Sequence, residues 1–245
     1  PRAWRQRREL IKKNSELLEE SADERKRYFR ELDTSSLDAF RRTIEPYRKR
    51  FDEEVIGKFD DALLPLNPRS RKVFDEPKYT GYEVMLDVFP DVFAYGILLV
   101  PKGIKDGERR PVVVCQHGLE GRPTDVADPN IDNKAYNQYA IRLAERGFVT
   151  FAPQNPYIFK DRFRTLQRKA NPLGKTLFSI IVPQHRQIVS WLKSQPFVDP
   201  DRIGFYGLSY GGKSAMRIPA LVTDYCLSIC SADFNDWVWK NASTR

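Results

Sequence analysis

The pentapeptide Gly207-Leu208-Ser209-Tyr210-Gly211 constrains this chain more than any other feature. Five residues alone arise by chance, so the weight lies in their setting. Arg202 to Tyr206 reads as a strand, and residues 211–222 read as a helix. A chain that passes from strand to helix over so few residues must reverse sharply. The residue at the apex is left with a strained backbone and an exposed side chain. Glycines at 207 and 211 remove Cβ atoms that would collide with neighbouring backbone, and Gly212 lets the helix start close to the sheet. The helix N-terminus also aims unpaired N–H groups at the apex, where they stabilise developing negative charge. Ser209 is therefore the candidate nucleophile.

The flanking sequence supplies a sheet to carry that reversal. Tyr82, Val84, Leu86 and Val88 alternate with Glu83, Met85 and Asp87, as a half-buried strand should. Pro90-Asp91 is a turn and Phe93 to Val100 a second strand, which predicts a hairpin. Val112-Val113-Val114-Cys115 is a continuous apolar run, as in a strand buried on both faces. Helix is predicted over 134–147 and 177–194, with strands at Phe148–Ala152 and Cys226–Cys230. Alternation of this kind specifies a mostly parallel sheet with helices on both faces.

Residues 1–68 differ from the rest. Helix is predicted over 3–31, where Leu10, Ile11, Leu17 and Leu18 recur among dense charge, and again from about Ser36 to Ile56, with Asp33, Thr34 or Ser35 as its cap. Leu64-Pro65-Leu66-Asn67-Pro68 has the composition of a linker. Two domains are expected: a helical N-terminal extension over 1–68, packing beside the core or covering a partner surface, and an α/β core over 69–245.

At 41% hydrophobic and 30% charged residues, the composition is that of a folded chain. No apolar run approaches the roughly 20 residues needed to span a bilayer, so no membrane association is expected. The net charge of +8 is concentrated, because Lys160, Arg162, Arg164, Arg168, Lys169 and Lys175 face only Asp161 over residues 160–175. The arginines at 2, 5, 7 and 8 are followed by acidic residues, which argues against a nucleic-acid partner. Cys115, Cys226 and Cys230 lack metal-ligand spacing and read as buried free thiols, a lean towards a reducing compartment. No metal or cofactor is expected.

Directly after the Val112–Cys115 run comes Gln116-His117-Gly118-Leu119-Glu120-Gly121. Together with Val198-Asp199-Pro200-Asp201-Arg202-Ile203 leading into Ser209-Tyr210-Gly211-Gly212, it makes residues 70–245 resemble the α/β-hydrolase superfamily, and within it dienelactone hydrolase-like and acetyl xylan esterase-like proteins. The resemblance implies hydrolysis of a carboxylic ester, of a small molecule or a carbohydrate, through an acyl-enzyme on Ser209. It also implies an oxyanion hole formed by the backbone N–H groups of Leu119 and Tyr210. His117 and Gly118 would shape the loop that aims the first of these donors. The Ser-Tyr-Gly-Gly run is also similar to prolyl oligopeptidase-type peptidases, which keeps a peptidase as the second reading. A catalytically inactive relative that binds a ligand through the same pocket is the third.

In this superfamily the acid and the histidine follow the serine along the chain. Here Asp233 and Asp236 follow Ser209, and the only histidines, His117 and His185, precede it. Asp233, after the last predicted strand, is a candidate for the acid, ahead of Asp236. The histidine, and more plausibly the acid too, are expected beyond Arg245. The first residue is Pro1 rather than a methionine, so the chain is expected to be truncated at both ends and nearly inactive alone. The basic segment leaves the sheet at its carboxyl end, where ligands of open α/β sheets bind. Lys160, Arg162 and Arg164 are thus candidate contacts for an anionic substrate, although a solvated surface explains such charges as well.

Overall fold

The computed structural model describes residues 2–157 and 160–235, the side chains of 160–163 excepted. By contact the chain divides into two units, one of residues up to Arg50 and one from Phe51 to Phe234. The first holds helices α1 (Arg2–Tyr28) and α2 (Leu37–Arg50). Ser36 Oγ accepts the Ala39 N–H (3.1 Å), so the cap of α2 is Ser36 rather than a residue over 33–35. Tyr47 of α2 meets Tyr28 and Phe29 at ring centroid separations of 5.2 and 5.4 Å.

The second unit opens with a six-residue π-helix, Phe51–Ile56, in place of the continued α-helix that the sequence suggests. Ile56 is buried, and its carbonyl accepts hydrogen bonds from the hydroxyls of Thr176 (2.9 Å) and Ser179 (2.7 Å). The Leu64 N–H donates to the Val88 carbonyl, and the Asp87 N–H to the Leu66 carbonyl, both at 3.0 Å. The stretch with linker composition is thus strapped along the sheet.

Seven strands follow: β1 (Arg69–Asp75), β2 (Tyr79–Phe89), β3 (Val92–Pro101), β4 (Arg110–Gln116), β5 (Val149–Pro153), β6 (Val198–Leu208) and β7 (Leu227–Ser231). Their order in the sheet is β1-β2-β3-β5-β4-β6-β7. The joins from β1 to β5 are antiparallel and the remaining three are parallel. This is the mostly parallel sheet with an antiparallel N-terminal hairpin that the alternation of elements predicts. β1 extends that hairpin and has no apolar period. Its Arg69, Ser70, Arg71 and Lys72 are exposed, and Arg69 and Arg71 pair with Asp87 and Glu83 of β2.

The helices are α3 (Thr124–Ala127), α4 (Tyr139–Ala144), α5 (Lys160–Ala170), α6 (Phe178–Lys193) and α7 (Tyr210–Leu221). One face of the sheet packs Val84, Leu86, Val114, Phe151 and Phe205 against α6 and α7 through Ile181, Ile188, Leu192 and Ile218. The other packs Ile97, Leu99, Cys115 and Ala152 against α3 and α4 through Val126, Ala140 and Ile141. Side chains therefore leave β4 into cores on both faces, which is why its sequence reads as unbroken valine.

Two local expectations fail for identifiable reasons. Helix over 134–147 shrinks to α4 because Asn137 and Gln138 take left-handed backbone (φ 50° and 48°), which an α-helix excludes. Cys226 is exposed, Cys230 half-buried and only Cys115 buried, because β7 lies at the sheet edge. Leu227 and Ile229 are likewise exposed on that strand.

Candidate active site

β4 and β6 run parallel, and their registered ends bring Gln116 beside Gly207. Ser209 lies just beyond, with φ 59° and ψ −116°, and caps α7, which begins at Tyr210. This backbone is close to the mirror image of ordinary extended chain and is disfavoured for any L-residue with a Cβ. Backbone contacts hold it there. The Ser209 N–H donates to the Ser231 carbonyl of β7 (2.9 Å), and the Ser209 carbonyl accepts the Lys213 N–H (3.0 Å).

The glycines fit the steric reading. A Cβ on Gly207 would lie 1.9 Å from the Gly211 carbonyl oxygen, and one on Gly211 would lie 2.2 Å from that of Gln116. A Cβ on Gly212 would come within 2.6 Å of the Ser231 oxygen. Strand, apex and helix start are thus packed backbone on backbone. The Ser209 side chain is exposed, and its hydroxyl makes no hydrogen bond among the described residues.

The 117–121 loop lies against this apex. A Cβ on Gly118 would sit 3.3 Å from both Ser209 Cβ and the Leu208 carbonyl oxygen. The Gly118 N–H donates to the Tyr136 hydroxyl (2.9 Å), and Gly118 O accepts from the Gly121 N–H (3.3 Å) and from His117 Nδ1 (2.8 Å). A carbonyl can only accept, so Nδ1 carries the His117 proton. Glu120 closes the turn with φ 65°. Leu119 follows Gly118, and its N–H donates to no protein group among the described residues, which leaves it available to a ligand.

Tyr210, the first residue of α7, is buried. Its ring stacks on Phe178 (5.9 Å, 22°) and meets Tyr157 edge-on (5.9 Å, 87°). Burial raises both phenols above the ordinary tyrosine range. Arg217, whose guanidinium lies 5.0 Å from the Phe178 ring centroid, is held below the usual arginine value by the same desolvation, against the charges of Tyr210 and Asp233. Asp233 is buried just past β7, and its Cβ would lie 3.3 Å from a Cβ on Gly212, three residues beyond Ser209.

Neither histidine hydrogen-bonds Ser209. Burial lowers His117 to about 4 and His185 to about 3, and His185 Nδ1 is hydrogen-bonded to the Tyr225 hydroxyl (2.8 Å) in the core behind the sheet. Of the basic segment, Arg164 is exposed on α5, while the side chains of Lys160 and Arg162 and the whole of Asp236 lie outside the described residues. The structure thus brings Ser209, Tyr210, the 117–121 loop and Asp233 together. Sequence reasoning missed Tyr136, which stands 18 residues from Gly118 in a stretch with no local motif.

Comparison with known proteins agrees with this architecture. A Bacteroides fragilis protein provisionally named as an acetyl xylan esterase superposes with a TM-score of 0.65 at 19% identity, over 78% of this chain and 53% of that one. A methylesterase gives 0.59 at 18% identity, over 81% and 42% of the two chains. A glucuronoyl esterase from Solibacter usitatus gives 0.54 at 14% identity, over 78% and 58%. The chain thus spans about half the length of the solved structures it matches, and at these identities the likeness is one of fold, that of the α/β-hydrolases. At the level of sequence, the profile of the Dienelactone hydrolase family matches residues 99–226. That stretch is more than half of the chain and runs from β3 through the 117–121 loop and the Ser209 reversal to the end of α7. The chain belongs to the dienelactone hydrolase family.

Proposed function

We propose that this chain carries the nucleophile and oxyanion-binding part of a carboxylic ester hydrolase. The observation that carries the reading is Ser209 itself, exposed at a strained strand-to-helix reversal with the Gly118–Leu119 loop in van der Waals reach. Ser209 Oγ attacks the ester carbonyl. The tetrahedral oxyanion is met by the N–H groups of Leu119 and Tyr210, the latter at the N-terminus of α7, whose dipole favours negative charge. Collapse expels the alcohol and leaves an acyl-serine, which water then hydrolyses. An oxyanion donor of this kind is worth roughly 3–4 kcal/mol in the transition state. The named activities of the three structural neighbours, all ester hydrolyses and two of them on carbohydrate by name, support a carbohydrate ester as substrate.

Attack requires a base for the Oγ proton. His117 and His185 are buried, and burial holds both below the ordinary histidine range, so neither is proposed as that base. Asp233, beside the start of α7, is the carboxylate in reach of a base placed over Ser209. Residues 1–245 alone are accordingly expected to turn over esters slowly.

A fluorophosphonate probe and a panel of acetylated and methyl-esterified sugars test the proposal in the natural-length protein. Labelling and turnover should both vanish in Ser209→Ala. Labelling that survives in that variant, or no turnover of any ester by the natural-length protein, would overturn it. Fast ester turnover by residues 1–245 that is lost in Ser209→Ala would show that the base lies within them.

A further inference from the structure

The helix α1 has no buried residue along its 27 positions. Trp4, Leu10, Ile11, Leu17 and Leu18 are between 40 and 66% exposed. They recur at intervals of seven (4, 11, 18 and 10, 17) and so form one stripe along the helix, with Arg7, Asn14 and Ser21 on the same face. The contacts of α1 with α2 start at Tyr28, at its far end. A long polar helix with an uncovered apolar stripe is stabilised chiefly by packing that stripe on a partner.

The charges along α1 indicate which partner. Its first half carries Arg2, Arg5, Arg7, Arg8, Lys12 and Lys13 against Glu9. Its second half carries Glu16, Glu19, Glu20, Asp23 and Glu24 with no cation before Arg25. A parallel pair would set basic half on basic half. An antiparallel pair centred on residue 14 sets the basic run 5–13 against the partner's acidic run 16–24, with Arg25, Lys26 and Arg27 reaching the partner's first turn. The central part of the apolar stripe, Leu10, Ile11, Leu17 and Leu18, is also symmetric about Asn14, whereas Trp4 mirrors Glu24, so one antiparallel register pairs the centre of the stripe and the central charge runs together. It sets Leu10 against the partner's Leu18 and Ile11 against the partner's Leu17. Along the axis, Arg7 and Arg8 then fall level with the partner's Ser21 and Glu20, within its acidic run. Asn14 meets the partner's Asn14 on the two-fold axis, where a polar pair in an apolar seam fixes register.

We propose that α1 is a self-association element, pairing antiparallel with α1 of a second copy in a two-fold symmetric interface. The acidic half argues against a phosphate-bearing surface as the partner, since membrane or nucleic acid would meet it as like charge. The interface is a single helix pair about 40 Å long, which points to a micromolar rather than a nanomolar dimer.

Sedimentation velocity on the 245-residue chain, from about 1 to 200 µM at low and high salt, reads this directly. The expected result is a monomer–dimer equilibrium that weakens as salt rises. The double variant L17E/L18E, at exposed positions that leave the fold intact, should weaken it at least about tenfold. R7E/R8E and E20R/E24R should each dissociate alone and form a heterodimer when mixed, because each restores the other's complement. A monomer throughout the range would overturn the proposal. So would a dimer indifferent to L17E/L18E, or sedimentation with anionic vesicles or RNA by a chain that is otherwise monomeric.

Discussion

Replacing Ser209 by glycine should stabilise the fold relative to replacing it by alanine. The backbone at 209 has φ 59° and ψ −116°. Inverted through the α-carbon this becomes −59° and +116°, an ordinary extended conformation. Glycine has no handedness and takes the mirrored form freely, whereas any residue with a Cβ is strained there by about 2–3 kcal/mol. Glycine loses more freedom on folding than alanine, which returns about 0.5–1 kcal/mol. The net expectation is that S209G exceeds S209A by about 1–2 kcal/mol. Side-chain burial hardly enters, because residue 209 is exposed. For a chain of this size that is a rise in Tm of about 2–8 °C. Both variants lack the hydroxyl, so the comparison isolates the backbone, and differential scanning calorimetry at pH 7 measures it without reference to activity. If S209G melts at or below S209A, the apex is not strained and the steric account of the reversal is wrong.

The remaining predictions concern the frame around that apex. Gly211→Ala would push a Cβ to 2.2 Å from the Gln116 oxygen and 2.8 Å from that of His117, both backbone, and should destabilise by more than about 3 kcal/mol or prevent soluble folding. Gly204→Ala in β6, whose nearest neighbours would be 3.8 Å away, should stay within about 1 kcal/mol of the parent in urea unfolding. His117 and His185 are held at about 4 and about 3, below the unfolded value near 6.5, so the unfolded chain binds the extra protons between those limits. Stability is therefore full above pH 6.5 and falls as pH drops towards 4 and then 3. The slope reaches about 1.4 kcal/mol per pH unit for each histidine, and urea titrations of His185→Gln between pH 7 and 4.5 should show it reduced. Tyr136→Phe removes the acceptor of the Gly118 N–H. It should lower kcat about tenfold in the natural-length protein, leave KM nearly unchanged and speed exchange of the Gly118 amide.

What could be read from the sequence was what local periodicity and sterics determine. The valine run at 112–114 announces a strand flanked on both sides, and the alternation from Tyr82 to Val88 a strand with one buried face. The glycine spacing around Ser209 announces the reversal, because the collisions it avoids are set by backbone geometry within a few residues. Features that depend on distant partners were not legible. β1 is charged and exposed and exists because β2 offers it hydrogen bonds and the carboxylates of Glu83 and Asp87. Cys226 looks like core by its apolar neighbours and is exposed just before β7, which among the described residues pairs with β6 alone. Tyr136 reaches Gly118 from 18 positions away, past α3, and α4 is shortened by two left-handed residues that no helical periodicity reveals.

The reversal at Ser209 is held by groups that do not titrate. Its N–H bonds the Ser231 carbonyl, its own carbonyl bonds the Lys213 N–H, and the glycines at 207, 211 and 212 rest on backbone atoms of β4, β7 and α7. Tyr210 beside the apex is buried, and so is His185 in the core. Positioning of the serine and its activation are therefore physically separable: the first belongs to the sheet and persists whatever the protonation state, while the second depends on a group able to reach an exposed hydroxyl from solvent side. It follows that the pH dependence of folding and that of turnover have different origins. Between pH 6.5 and 4 folding follows the two buried histidines, and under the proposed mechanism turnover follows the base that accepts the Oγ proton. The same separation explains how a chain can present a strained, well-supported serine while neither of its histidines touches it.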